Sequence, residues 1–267
     1  MVNNQSHRLA TSCSLALRLV DAYTGTAPLQ AGLQLTLVGT ARKPLKKPDG
    51  FIIYTNIPDG VYSFELISRY YFPVIQQMEL GGDDPYRVIT LFPNASYPFG
   101  QRATYIRVSL LDERRNPVSG VTVDAVCTSE DSAKAQLSQE TNSGENIIQL
   151  ANIKGKVTEG DTFLIKDKGN SAYVGEYCSI AREIDGFRTF KLEEPLKSTF
   201  VRGASLYYSF HTQSDSSGEA VIPFRNPPSS LFEVQLVFKW KDITLSKEVA
   251  LKEQQAFLLE TIHLGEN

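Results

Sequence analysis

Residues 51–74 read FIIYTNIPDGVYSFELISRYYFPV, and this stretch decides the fold. Two β-rich runs flank Pro58-Asp59-Gly60, and Gly60 can take the positive φ that reverses the chain, so the expectation is a hairpin. In the second run Tyr62, Phe64 and Leu66 alternate with Val61, Ser63, Glu65 and Ile67, which puts the first three on one face. Burying each of them contributes roughly 1.5–3 kcal/mol, enough to anchor one face of a sandwich.

The same short-strand pattern extends to both sides. Leu15, Leu17 and Leu19 alternate with polar or small neighbours, and Leu33, Leu35 and Leu37 share a face after turn residues Gly25, Pro28 and Gly32. Residues 74–80 and 86–92 read as further strands around the turn Gly81-Gly82-Asp83-Asp84-Pro85. No segment carries a helical period, which predicts an antiparallel sandwich over residues 1–99. After the linker at residues 91–105 the pattern restarts. Ile106, Val108 and Leu110 alternate up to Asp112, then come Pro117 and Gly120, then Val121, Val123 and Ala125. Asp21, Pro28 and Gly32 thus find counterparts at an offset of about ninety residues, implying a second copy of the sandwich.

The second copy breaks off after Val126 and resumes at residues 214–222, SDSSGEAVI. Between them, strand-like runs at 147–150, 162–166, 173–180, 187–192 and 204–210 predict a small inserted barrel. The expected architecture is all-β: sandwich one at 1–99, sandwich two at 100–134 and 208–267, and the barrel at 135–207. The most regular strand lies after the insertion, with Phe232, Val234, Leu236, Phe238 and Trp240 on one face.

Composition excludes several classes of function. Lys+Arg number 27 against Asp+Glu 30, a net charge of −3, so no electrostatic footprint for nucleic acid exists. Arg42, Lys43, Lys46 and Lys47 form one basic cluster among Pro44, Pro48 and Gly50, read as a solvated loop with docking of an acidic partner as the alternative. No run approaches the ~20 apolar residues of a membrane span. The first twenty residues, bracketed by Arg8 and Arg18, lack the apolar core of a signal peptide, so the expected compartment is cytoplasmic. Cys13, Cys127 and Cys178 are widely spaced and read as small buried thiols.

Chemistry is sparse. His7, His211 and His263 have no metal-ligand spacing, and His211 reads as a strand-end residue at the close of the insertion. No GxSxG, GxGxxG or GxxxxGK[ST] occurs, and a Cys–His pair could arise only by spatial assembly. Glu193 and Glu194 would point to opposite faces of a strand, which reads as charged turn residues rather than a catalytic pair. Of Tyr70, Tyr71 and Phe72, at least one faces outward on a regular strand, as a sheet rim, a subunit interface or a glycan contact. The expectation is no catalytic residue, no cofactor and no metal.

The VDAYTG turn with Pro28, Gly32 and the later IPDGVYSFELISRYYF strand resembles the carboxypeptidase regulatory-like, transthyretin-like sandwich. LLDERRNPVSGVTVDA and TQSDSSGEAVIPF are similar to an interrupted second copy. That resemblance implies fold and says little about function. LFPNASYPFGQRATYIRV and RLVDAYTGTAPL also resemble proteins that accompany phage-tail-like contractile injection systems, and residues 151–208 are similar to small barrels of phage tail and baseplate proteins. The resemblance implies a non-enzymatic structural component of baseplate, cap or adaptor type, with sheath, tube, cap or baseplate subunits as partners. The alternative is an adhesive or carbohydrate-binding module.

Overall fold

The computed structural model describes residues 11–82, 84–167, 175–184, 186, 188–225, 227 and 229–265. His7, Arg8, the turn residue Asp83 and the first residues of two expected strands, Tyr173 and Phe187, lie outside them. Apart from one turn of 3-10 helix (Glu130–Ser132), every regular element described is a strand.

The first unit holds β1 (Cys13–Asp21), β2 (Gln34–Val38), β3 (Leu45–Lys46), β4 (Phe51–Thr55), β5 (Gly60–Ile67), β6 (Val74–Leu80) and β7 (Tyr86–Leu91). They form two facing sheets, β3-β4-β1-β7 and β2-β5-β6. β1 runs parallel to β7 and antiparallel to β4. Alternation decides the inward set, with Leu15, Leu17 and Leu19 from one sheet meeting Phe64 and Leu66 from the other in a single core.

The expected hairpin at residues 51–74 is corrected. β4 pairs with β1 and β3, while β5 pairs with β2 and β6, so the chain crosses from one sheet to the other between them. The cause is burial. Ile52 and Tyr54 on β4 and Phe64 and Leu66 on β5 are all buried, and an arch lets the two sets face each other across the core. Asn56 turns the chain at φ 53°, and the buried Ile57 is held at both its N–H and C=O by Ser14 Oγ, at 2.9 and 3.1 Å.

The second unit begins with β8 (Thr104–Asp112) and β9 (Thr122–Cys127). Six strands follow: β10 (Ala133–Leu137), β11 (Ile147–Ala151), β12 (Thr162–Lys166), β13 (Glu176–Glu183), β14 (Thr189–Leu192) and β15 (Ser205–Gln213). They are hydrogen-bonded in the order β10-β11-β14-β13-β12-β15, and β10 pairs back with β15 to close a barrel. Phe163, Ile165, Ile148, Leu192 and Leu206 fill its interior, as a barrel this small requires. The chain then completes the sandwich with β16 (Glu219–Phe224), β17 (Leu231–Trp240), β18 (Ile243–Lys252), β19 (Ala256–Leu258) and β20 (Ile262–Leu264).

The two sandwiches share a plan. β8 pairs antiparallel with β16 and parallel with β19 and β20, as β1 does with β4 and β7. β9-β17-β18 repeats β2-β5-β6. The barrel therefore occupies the connection that in the first copy is the short Lys/Pro loop, of which Leu45–Lys46 forms β3. It is not hung on a linker: β15 pairs with β12 along Ser205–Ser209 and with β9 along Ser209–Gln213, so one strand belongs to barrel and sandwich alike.

Candidate functional site

The turn that ends β1 is organised by Asp21, which is 1% exposed. Its Oδ1 accepts the N–H groups of Tyr23 and Thr24 at 2.8 and 3.1 Å. Its Oδ2 accepts the hydroxyls of Tyr71 and Tyr97 at 2.7 and 2.6 Å. Burial first, and then the bond to Asp21, push both phenols above their ordinary values. Four donors surround this carboxylate and tie the turn to the core.

Four residues on, Gly25 closes the turn at φ 67°, and a Cβ there would collide with the Arg225 guanidinium. Arg225, just past β16, forms an ion pair with the buried Asp161 of the barrel and donates to Thr158 Oγ1 at 3.0 Å. Thr158 also donates its N–H to Asp161 Oδ2 at 2.8 Å. Burial raises the Asp161 carboxyl, and the Arg225 charge opposes that shift. One residue from each of the three folded units thus meets at one point. Around it, the Tyr86 hydroxyl donates to Glu159 at 2.8 Å, Arg182 reaches Asp84 at 3.5 Å, and Phe92 packs edge-on against Phe210 with centroids 5.7 Å apart.

Beside this junction, between barrel and second sandwich, lies a cavity of about 240 Å³ lined by Lys134, Lys154, Lys156, Asp161, Tyr208 and Arg225 among others. The third feature is the outer face of the β2-β5-β6 sheet. Val61, Ile67 and Ile75 are 66%, 59% and 72% exposed there, and β6, like β2, is an edge strand of that sheet.

The residues weighed for chemistry are scattered. His211 lies inside β15 rather than at its end, with Nδ1 2.6 Å from Asp124 Oδ1, while Lys239 donates to Asp124 Oδ2 at 2.8 Å. His263 lies on β20, far along the chain from any cysteine. Cys127 and Cys178 are buried, their thiols pushed up to about 12 by burial, but Cys13 is exposed, which corrects the expectation of three buried thiols. Glu193 and Glu194 sit in the bend after β14, exposed. Tyr71 is buried, and Tyr70 packs against the first core with Arg69 over its ring, so the aromatic run is core and rim. Arg42, Lys43, Lys46 and Lys47 are exposed. Among the described residues, no group of three or more His, Cys, Asp or Glu could hold a metal ion, and no helix is long and apolar enough to cross a membrane.

Sequence reasoning missed the Asp21 network and the Arg225–Asp161 pair. Asp21, Tyr71 and Tyr97 each stand in a quoted motif, but nothing local shows that they converge. Gly160-Asp161 reads only as a turn into the strand at 162–166, and nothing in the sequence pairs Asp161 with Arg225.

No family model matches the sequence, and no curated protein matches it either. Solved structures do. BcpA, the major pilin subunit of Bacillus cereus, is 12% identical, with 91% of this chain and 69% of that chain covered and a TM-score of 0.27. The shaft pilin spaA from Lactobacillus rhamnosus GG is 11% identical over 94% and 97% of the two chains, with a TM-score of 0.23. The Bacillus anthracis TIE protein is 9% identical over 95% and 51%, with a TM-score of 0.24. Two of these are pilin structural proteins. TM-scores of this size carry no argument about arrangement or role.

Proposed function

We propose that this chain is a non-enzymatic structural subunit that works through contacts with neighbouring protein subunits, of baseplate, cap or adaptor type in a phage-tail-like contractile particle. The observation that carries the subunit-contact reading is the outer face of the β2-β5-β6 sheet. Its exposed Val61, Ile67 and Ile75 border the unpaired edge of β6, and such an edge and apolar face invite a partner. The particle type rests on the resemblance of residues 18–29 and 91–108 to proteins of such systems. Repetition of the subunit around a ring would multiply individually weak contacts.

The test is sedimentation of particles from producing cells that express wild-type protein or an Ile67→Lys/Ile75→Lys variant. Wild type is expected in the particle fraction, with the variant soluble, folded and absent from it. Wild type recovered wholly as a free monomer contradicts the proposal, and recovery on envelope glycans instead favours the adhesive module.

A further inference from the structure

We infer that the cavity between the barrel and the second sandwich is a binding site for a compact polyanion, a small molecule bearing phosphate or several carboxylates. Its wall brings together Lys134 from β10, Lys154 and Lys156 from the loop after β11, and Arg225 from the segment after β16. Four cations thus face one acid, Asp161, in a chain whose overall net charge is −3. Asp161 is already committed, with Arg225 on Oδ1 and the N–H and hydroxyl of Thr158 on Oδ2. Lys154 donates to the Asp131 carbonyl at 2.6 Å, which holds its ammonium in place without neutralising it. Lys134 and Lys156 have no hydrogen bond or ion pair among the described residues.

Lys134 is the informative member. It is half-buried, and burial pushes its ammonium below the ordinary lysine value, with the Asp161 carboxylate opposing the shift and the Arg225 charge adding to it, so Lys134 shares one acid with Arg225 instead of holding a partner of its own. Two hydroxyls in the same wall are also unpartnered among the described residues: the Tyr208 phenol, and the Ser132 Oγ, which is buried without any hydrogen bond. Clustered cations and spare hydroxyls in a concavity of about 240 Å³ match oxyanion groups, while Cys127, Phe224 and Pro227 supply an apolar wall beside them. The ligand would bridge barrel and sandwich next to the Arg225–Asp161 pair, so its binding would also stiffen the junction.

The probe is pyrophosphate, titrated calorimetrically into the full chain at constant ionic strength, with citrate as a carboxylate counterpart. Saturable binding is expected, weakened about tenfold, equivalent to 1.4 kcal/mol, by Lys134→Gln and also by Lys156→Gln. Lys156 is exposed, so its variant tests the site even where Lys134→Gln disturbs folding. Lys247→Gln, remote and paired with Glu260, should leave affinity unchanged. Absence of saturable binding at about 1 mM ligand overturns the inference, and so does binding that Lys156→Gln leaves intact or that Lys247→Gln weakens equally. Citrate binding without pyrophosphate binding assigns the site to carboxylates.

Discussion

The turn that closes β1 and the turn that closes β8 follow one plan with different surroundings. In each, an aspartate at the strand end accepts backbone N–H groups through Oδ1, and its own N–H bonds back to the residue after a left-handed position. In the first turn that position is Gly25, at φ 67°; in the second it is Arg115, at φ 64°. A left-handed arginine is tolerated because Arg115 points into solvent, whereas Gly25 is pressed by Arg225 and has no room for a Cβ. Likewise Asp21 spends its second oxygen on two buried tyrosines, and Asp112 spends its own on the exposed Asn116 amide. The same local sequence logic thus becomes a buried keystone in one copy and a surface turn in the other, because Tyr71, Tyr97 and Arg225 cover the first.

The largest effect expected is on the group that makes the turns differ. Arg225→Ala leaves Asp161 buried without its partner and should lower stability by about 3–5 kcal/mol in denaturant unfolding, with Arg225→Met milder. A loss below about 1 kcal/mol would mean that the junction is not cooperative with the fold.

Next is the aspartate pair. Asp21→Asn removes the oxygen shared by Tyr71 and Tyr97 and should cost about 2–4 kcal/mol, since stranding a buried donor costs about 1–3 kcal/mol. Asp112→Asn keeps the oxygen that closes its turn and should change the unfolding midpoint much less. Equal effects would break the distinction between keystone and surface turn.

The glycine position sharpens it. Gly25→Ala adds to the ~1–2 kcal/mol of a left-handed alanine the displacement of Arg225, whereas Arg115→Gly should stay within about 1 kcal/mol of wild type. In a double-mutant cycle, Gly25→Ala should cost less on an Arg225→Ala background, because the clashing guanidinium is gone.

The smallest effect is in pH dependence. The backbone N–H of Asn116, its side chain and the N–H of Arg114 hold the Asp112 carboxyl below its ordinary 3.8. A carboxyl depressed in the folded state contributes stability that is full above the unfolded value and fades as pH falls through the folded one. Asp112→Asn should therefore flatten the acid limb of the stability curve below about pH 4, lying slightly below wild type at neutral pH and converging with it in acid. Thermal melts across that range measure it.

The strands and the repeat were legible because period-two alternation reports burial directly. Leu15, Leu17 and Leu19, then Ile106, Val108 and Leu110, then Phe232 to Phe238 all face cores as read. The arch between β4 and β5 was not, since a turn dipeptide tells where the chain bends and not which sheet receives it. Nor was β10, where AKAQL offers only Ala135 and Leu137 as buried residues. The junction was the least legible. Gly25, Asp161 and Arg225 are joined only by tertiary packing, and Lys134 meets Arg225 across ninety residues of chain, a separation over which sequence pattern carries no signal.

The most direct test of the assembly reading is affinity purification of the tagged full chain from the cells that make it, with mass spectrometry of what accompanies it. The account predicts sheath, tube or baseplate subunits, recovered with wild type and lost with the Ile67→Lys/Ile75→Lys variant. Recovery of the chain alone, or the same partners with both proteins, would contradict it.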